Sequence, residues 1–167
     1  FEDRTPAAYD MRQISSALLD VCRTADDSLL VVSPFLESQG IEWLQPGIEG
    51  AIRRGVDVTI VSRELREGEP NMRALTELVE IEGGQHGRLR IYDYYEPDPN
   101  SEKPLYTLHS KVIVADEREA YIGSANFTNY GLSQNLEVGV ILRGEEVSDL
   151  QMVFTAVIER AREVIGS

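Results

Sequence analysis

Several residue types are scarce in this chain, and each scarcity narrows what the chain can be. A single cysteine, Cys22, excludes a disulfide framework, which fits a reducing compartment and favours a cytoplasmic location. No hydrophobic run approaches the roughly 20 residues that a membrane-spanning helix needs. Low-complexity tracts are also missing from the sequence. The sequence is therefore typical of a folded domain without a membrane segment.

Basic residues are scarce as well. Sixteen Lys and Arg face 29 Asp and Glu, so the formal net charge is -13. Such a charge repels polyanions and argues against strong non-specific binding to nucleic acid. Only two of the basic residues are lysines. Arginine in place of lysine, with abundant acids, is consistent with a salt-adapted host or a GC-rich genome, and high intracellular salt would weaken the repulsion.

The length and the hydrophobic content permit one substantial core. With 167 residues, 42% of them hydrophobic, the chain is expected to form a single domain over 1–167. It begins with Phe1 rather than methionine, which is consistent with a domain excised from a longer protein.

Hydrophobic periodicity predicts an α/β fold. Helices are expected over 6–25, 42–54, 71–82 and 145–165. Buried strands are expected over 28–33, 56–62 and 88–95, followed by a hairpin over 108–125 and a strand over 135–141. Strands alternate with helices early and form hairpins late. We therefore expect a mixed, mostly parallel β-sheet sandwiched between helices, with the functional site at the strand ends. Cys22 is expected in the core, on the apolar face of the first helix.

The most informative segment runs from residue 109 to 126, where one of the two histidines and one of the two lysines fall. Its spacing is H-x-K-x4-D-x6-G-S-x-N, formed by His109, Lys111, Asp116, Gly123, Ser124 and Asn126. Alternation over 108–115 predicts a strand with His109 and Lys111 on one face. A polar turn from Asp116 and a second strand would complete the hairpin and gather the polar side chains in one patch.

This patch has the donors that a phosphate group needs. An ammonium, a hydroxyl and a carboxamide suit phosphate oxygens, and Gly123 would let the backbone approach a bound group closely. His109 and Lys111 alone would fit the polar face of a half-exposed strand. Six specified positions make coincidence a poor explanation.

The spacing resembles the HKD signature of the phospholipase D superfamily. The resemblance implies a phospholipase D-like fold and a phosphodiesterase that needs neither metal nor cofactor, with His109 forming a covalent phosphohistidine. Lys111 and Asn126 would stabilise charge on the phosphoryl oxygens. Glu137, in the strand after the signature, would hydrogen-bond a catalytic histidine. Asp116 lies in the turn beyond the strand, so we expect a structural role for it.

A second histidine is required, because one imidazole cannot both attack phosphorus and protonate the leaving oxygen. His86 lies in a glycine-rich loop with no lysine two residues later, and the signature is not repeated. Single-signature members of the family work as homodimers, so we expect a twofold axis that brings two copies of His109 together. The alternative is a parent protein that carries a second signature.

The substrate class is less well specified. We expect a nuclease, with DNA favoured, such as the cutting module of a restriction or phage-defence system. A phospholipid hydrolase or phosphatidyltransferase and a catalytically silent phosphate-binding module are the alternatives. Candidate substrate contacts are Ser33, at the end of the first buried strand, and Arg53 and Arg54, which cluster with Arg63 and Arg66 around the second strand.

One further segment bears on the substrate. Residues 96–104 are polar and rich in proline, and directly precede the signature strand. They predict either a lid or a solvated connection. The flanking tyrosines would either stack on bases or pack within the fold; they are Tyr92, Tyr94, Tyr95 and Tyr106.

Overall fold

The computed structural model describes residues 13–81, 88–101 and 103–165, in which a seven-stranded sheet is the central layer. The helices are α1 (Ile14–Thr24), α2 (Ser38–Arg54), α3 (Pro70–Ile81), α4 (Asn129–Ser133) and α5 (Glu146–Ile158). The strands are β1 (Ser28–Val32), β2 (Asp57–Ser62), β3 (Leu89–Asp93), β4 (Tyr95–Pro97), β5 (Pro104–Thr107), β6 (Val112–Ala115), β7 (Glu119–Gly123), β8 (Gly139–Arg143) and β9 (Arg162–Ile165).

The order of strands across the large sheet is β8-β7-β6-β1-β2-β3-β9. β1, β2 and β3 pair in parallel because helices α2 and α3 return the chain to the same edge each time. The other four pairs are antiparallel. The predicted mixed α/β fold is confirmed, while parallel pairing is confined to the first three strands and does not predominate. Short connections such as the one between β6 and β7 permit only antiparallel neighbours.

Helices cover both faces of this sheet, as predicted. One face packs against α1, α2 and α3, whose buried side chains include Leu18, Leu44 and Leu75. The opposite face packs against α5 through Val147 and Phe154. Because side chains alternate along a strand, Val31 faces the first layer and Val32 the second. Burial on both sides explains why β1 and β2 are almost continuous apolar runs.

Cys22 lies in the core under α2, as expected. Burial raises the pKa of its thiol to about 12, although Arg54 and Arg23 oppose the shift. The thiolate is therefore scarce at neutral pH, and Cys22 is a packing residue rather than a nucleophile.

Several element boundaries differ from the prediction. The described part of the first helix begins at Ile14, and residues 6–12, like His86, lie outside the described residues. Helix α2 begins at Ser38, before the predicted start at residue 42, and contains Pro46 in its interior. The signature strand, β6, begins at Val112 and not at Leu108. The strand predicted over 135–141 is β8, which begins at Gly139. None of the described helices has the length and apolar character to cross a membrane.

The largest error concerns the end of the chain. The last helix ends at Ile158, and residues 162–165 form β9, antiparallel to β3. Arg162 donates to the buried Asp93 carboxylate at 2.8 Å, and this ion pair holds β9 against β3. The apolar spacing of 145–165 matched a helix because Val164 and Ile165 continue the period by coincidence.

The segment before the signature is also more ordered than predicted. β4 and β5 pair as a two-stranded antiparallel ribbon, separate from the large sheet. The rings of Tyr94 and Tyr106 lie 4.9 Å apart between centroids, so these two tyrosines pack on each other. The ribbon leads directly into Leu108 and His109.

Candidate active site

Five of the six signature residues meet at one edge of the sheet. Because β6 runs antiparallel to β1, with Val112 opposite Val32, the start of β6 lies beside the carboxyl end of β1. β7 returns to the same edge, where Gly123 pairs with Gly139 of β8. His109 and Lys111 before β6, Ser124 and Asn126 after β7, and Glu137 before β8 therefore come together, as do residues that follow β1 and β2.

His109 and Lys111 are in direct contact, although residues 108–111 are not a strand. The Lys111 ammonium lies 3.3 Å from Nδ1 of His109 and donates to the His109 carbonyl at 3.0 Å. An ammonium has only donors, so it donates to Nδ1 only in the tautomer whose proton is on Nε2. In the other tautomer the ammonium is held by the carbonyl, and Nε2 is unprotonated. His109 is exposed, so the Nε2 side of its ring is open to a substrate.

Lys111 is only 8% exposed. Burial lowers the pKa of its ammonium group, the negative charge of Glu137 opposes this shift, and the positive charge of Arg63 adds to it. Within the described part of the chain the ammonium forms no ion pair with a carboxylate. A partly desolvated cation without an ion-pair partner in the described residues favours the approach of an anion.

Glu137 is held by its own neighbours. The Ser124 hydroxyl donates to one oxygen of the carboxylate, and Nδ2 of Asn135 donates to the other at 3.3 Å. The Ser124 oxygen also accepts the backbone N–H of Val138 at 3.1 Å. Ser124 is therefore engaged in positioning Glu137. Among the described contacts Glu137 makes no hydrogen bond to His109 of the same chain.

The polar atoms buried at this edge without a hydrogen-bond partner in the described residues include the carboxamide oxygen of Asn126. The hydroxyl of Tyr121 is buried here too, within hydrogen-bonding range of the Ala125 backbone N–H. Burial raises the pKa of the Tyr121 hydroxyl to about 12, and the negative charge of Glu137 adds to the rise. Tyr121 was missed in the sequence, where it is one of several aromatic strand residues. Unpaired buried polar groups are costly, and they are common where a ligand or partner completes a site.

Gly123 has a different role from the one expected. A Cβ at this position would lie 2.0 Å from the Tyr121 hydroxyl oxygen, and one at Gly139 would lie 2.3 Å from the Tyr121 ring. Both glycines therefore make room for the Tyr121 side chain. The constraint is internal packing rather than the close approach of a bound group.

Asp116 lies at the opposite edge of the sheet, in the turn between β6 and β7. Its carboxylate accepts the backbone N–H groups of Asp26, Asp27 and Ser28, each at 2.8 Å. Burial by itself raises the pKa of this carboxyl, but the three N–H donors and the nearby Arg118 together lower it. The arrangement joins the signature turn to the loop that precedes β1.

The weaker substrate-contact predictions do not match the geometry. Ser33 is fully buried, and its hydroxyl donates to the Phe35 carbonyl at 2.9 Å, which makes it a connection within the fold. Arg53 forms an ion pair with Glu49 on α2. Arg54 donates to the carbonyls of Cys22 and Ala25. Both arginines precede β2, so the length of that strand separates them from His109.

Arg63, by contrast, directly follows β2 and lies at the edge that carries the signature residues. Sequence reasoning placed it in the same cluster as Arg53 and Arg54 without separating them. The signal was its position after a buried parallel strand, where side chains face the ligand side of an α/β sheet.

Comparison with known proteins agrees with this geometry. A family model described as "Cardiolipin synthase, PLD-like domain" matches residues 18–158. DISARM protein DrmC of Bacillus paralicheniformis is 34% identical over 53 residues, which are 32% of this chain and 22% of that protein. Phospholipase D zeta 1 of Arabidopsis thaliana is 37% identical over 67 residues, 38% of this chain and 6% of that protein. The matches thus span only a small part of these relatives.

Solved structures share the fold at low sequence identity. NucT from Helicobacter pylori superposes with a TM-score of 0.71 at 15% identity, covering 91% of this chain and 89% of that one. Nuc from Salmonella typhimurium, described as a phospholipase D family member, gives 0.66 at 21% identity, with 90% of both chains covered. The archaeal chromatin protein TrmBL2 gives 0.60 at 18% identity, covering 90% of this chain and 50% of that chain. With the family model matching most of its length, this chain belongs to the phospholipase D superfamily.

Proposed function

We propose that this chain is a metal-independent nuclease, which cleaves phosphodiester bonds of nucleic acid through a phosphohistidine intermediate. The observation that carries the proposal is the Lys111 ammonium, buried against the His109 imidazole without an ion-pair partner in the described residues. A phosphodiester supplies the missing negative charge and an electrophilic phosphorus within reach of an imidazole. The likeness to a phospholipase D family member and to a chromatin protein whose structure shows DNA binding supports a nucleic acid, with DNA favoured.

The chemistry uses two imidazoles in opposite protonation states. One neutral His109, in the tautomer whose proton is on Nδ1, attacks phosphorus through Nε2, and the P–N bond forms as the P–O bond to the leaving group breaks. The second imidazole gives its proton to the leaving oxygen, then takes a proton from water, which attacks phosphorus and releases His109. Lys111 and Asn126 donate to the phosphoryl oxygens, whose negative charge grows during each step.

The second imidazole comes from another copy of the chain. β8 is an edge strand of the large sheet, and beside Glu137 the side chains of Leu136, Val138 and Val140 are 97%, 71% and 59% exposed. An apolar surface on an unpaired sheet edge, next to an incomplete site, is suited to burial against a second copy. Within the described residues of one chain, Glu137 bonds Ser124 and Asn135 and not His109. Glu137 of one copy would then orient His109 of the other.

Hydrolysis in excess EDTA tests the proposal. We expect the wild-type protein to cleave a fluorescent single-stranded oligodeoxynucleotide and bis(4-nitrophenyl) phosphate, and His109→Ala to lose both activities by about 10³-fold or more. Glu117→Gln, an exposed change in the signature turn, serves as the control and should keep full activity. Activity that survives in His109→Ala would remove the phosphohistidine mechanism, and activity that disappears with EDTA in the wild type would remove metal independence.

A phospholipid is the second candidate substrate, because Leu136, Val138 and Val140 place apolar surface beside Glu137. The same assay with vesicles of anionic phospholipid separates the two. Release of a headgroup from vesicles, without cleavage of the oligonucleotide, would replace the nuclease with a phospholipid hydrolase. Binding of either substrate without cleavage would favour a silent phosphate-binding module. A setting in restriction or phage defence is part of the nuclease proposal.

A further inference from the structure

Arg63 is the cation nearest to the signature residues that the catalytic scheme leaves unused. It follows β2 directly, and its guanidinium lies over the ring of Phe35, 4.3 Å from the centroid. Nη1 donates to the Thr107 hydroxyl at 3.3 Å, and the side chain is only 18% exposed. Contacts with the loop after β1 and with β5 therefore hold the planar group in one orientation, which lowers the entropy lost when it binds an anion.

The ion pair that Arg63 forms leaves N–H donors unused. A carboxylate oxygen of the partly exposed Glu64 lies 3.5 Å from Nε, and Nε is buried and makes no hydrogen bond within the described residues. The positive charge of Arg63 also adds to the lowering of the Lys111 pKa, so the two cations interact across the site. Two fixed like charges repel each other, and an anion that bridges them relieves this repulsion.

The β4–β5 ribbon extends the site away from His109. Thr107, which contacts Arg63, is the last residue of β5 and lies two positions before His109. Tyr95 lies on the other strand of the ribbon, β4, and the centroid of its ring is 5.4 Å from the Arg66 guanidinium. The ribbon thus has arginine side chains next to it and an aromatic ring beside one of them, the combination that binds single-stranded nucleic acid.

We propose that Arg63 binds the phosphate next to the scissile one, with Phe35 and Thr107 as the residues that position its guanidinium. The proposal rests on the nuclease function and names the extended single strand as the substrate class. Lys111, Asn126 and His109 meet the reacting phosphate, whereas the guanidinium is tied to the ribbon and presents its free N–H donors farther along the chain of phosphates.

Binding and cleavage together test this subsite. Binding of a fluorescent single-stranded oligodeoxynucleotide is measured by anisotropy at several salt concentrations in the His109→Ala background, with Arg63→Gln or Arg63→Lys added. Arg23→Gln, which removes an exposed arginine near the end of α1, is the charge-matched control. Thermal unfolding checks that each variant is folded. Separately, kcat/KM is compared for the oligonucleotide and for bis(4-nitrophenyl) phosphate, which lacks a flanking phosphate.

We expect Arg63→Gln to weaken oligonucleotide binding about tenfold, as for one charge-assisted hydrogen bond, and to make the salt dependence shallower by about 0.7 in log–log slope. Arg63→Lys should lose less, and Arg23→Gln should change binding less than about twofold. Arg63→Gln should reduce cleavage of bis(4-nitrophenyl) phosphate less than cleavage of the oligonucleotide, because the smaller substrate has no second phosphate.

Equal losses on both substrates would overturn the subsite, since Arg63 would then act at the reacting phosphate or through the fold. Unchanged binding and slope in Arg63→Gln would also overturn it. A wild-type protein that binds the oligonucleotide through Arg63 but cleaves neither substrate would refute the nuclease and leave the subsite standing. A protein that neither binds nor cleaves would refute both.

Discussion

Asp116 shows how a residue of the signature can be needed without touching substrate. Its carboxylate accepts three consecutive backbone N–H groups at 2.8 Å, and Asp116 and Glu117 themselves have left-handed backbone, with φ of 52° and 57°. Short polar residues tolerate this conformation best. Two of the N–H groups belong to the loop between α1 and β1 and the third to Ser28, the first residue of β1, so one side chain connects the turn after β6 to the start of β1. Spacing alone placed this residue next to catalytic positions that lie at the other edge.

We predict that Asp116→Asn lowers the free energy of unfolding by about 1–3 kcal/mol at neutral pH, because a charged acceptor of backbone N–H groups is lost. The carboxyl has a lowered pKa in the folded state, so its contribution is present above the ordinary value of 3.8 and is lost as the pH falls through the folded pKa. Urea unfolding at pH 7 and in acid should therefore show a gap that narrows in acid. Glu117→Gln is the control. Equal stability of the two variants at pH 7 would contradict the assignment.

Among the secondary-structure elements, β8 is the one that bears most directly on assembly. It pairs with β7 on one side only, and the segment leading into it carries Leu136 and Val138 exposed beside Glu137. Exposed apolar side chains on a sheet edge promote association unless charges or a partner protect them. The same segment positions Glu137 through Ser124, so an interface here would also organise the site.

We predict that Val140→Lys weakens the dimer, because a lysine ammonium would lose its water shell at the interface. Sedimentation velocity should show the wild type as a dimer and Val140→Lys shifted towards monomer, with unchanged far-UV circular dichroism and reduced phosphodiester hydrolysis. Leu105→Lys, a similarly exposed leucine on β5, is the matched control and should stay dimeric. A Val140→Lys protein that sediments as the wild type does would place the interface elsewhere.

At the scale of the whole molecule, the described chain brings one copy each of His109, Lys111 and Asn126 to one sheet edge, and the proposed scheme needs two. A twofold axis doubles every group, so the histidine, lysine and asparagine of both copies face one phosphate. The net charge of -13 gives this requirement a further consequence. Two copies repel at long range, and added salt should favour their association by screening that repulsion.

Subunit mixing tests the shared site. When wild type is mixed with an equal amount of His109→Ala and allowed to exchange, half of the wild-type subunits enter hybrid dimers that hold one histidine. The mixture should therefore have about half the activity of the same wild-type protein alone, as expected for random exchange in a C2 dimer. Mixing with an equal amount of Asp98→Asn, a change in the ribbon connection, controls for dilution and crowding. Undiminished activity in the His109→Ala mixture would mean that each chain acts alone.

Much of the fold could be read from local patterns. Continuous apolar runs predicted β1 and β2, since strands buried on both faces have no polar alternation. The signature spacing predicted the β6–β7 hairpin, because a polar turn between two β-branched segments permits few other structures. The ribbon and β9 were missed. β4, β5 and β9 are three or four residues long, and such short strands depend on their partners more than on their own sequence.

By itself, the sequence determined the family and the α/β class and predicted the residues that carry the chemistry, because those depend on residue type and on spacing along the chain. Only the tertiary structure decided which cations lie together. It brought Arg63 to Thr107, near Lys111, and left Arg53 and Arg54 at the far edge, because the two ends of a strand lie apart while sheet pairing joins residues distant in sequence. It also assigned Gly123 to Tyr121 and Ser33 to the fold, since only packing shows which group occupies the space beside a small residue.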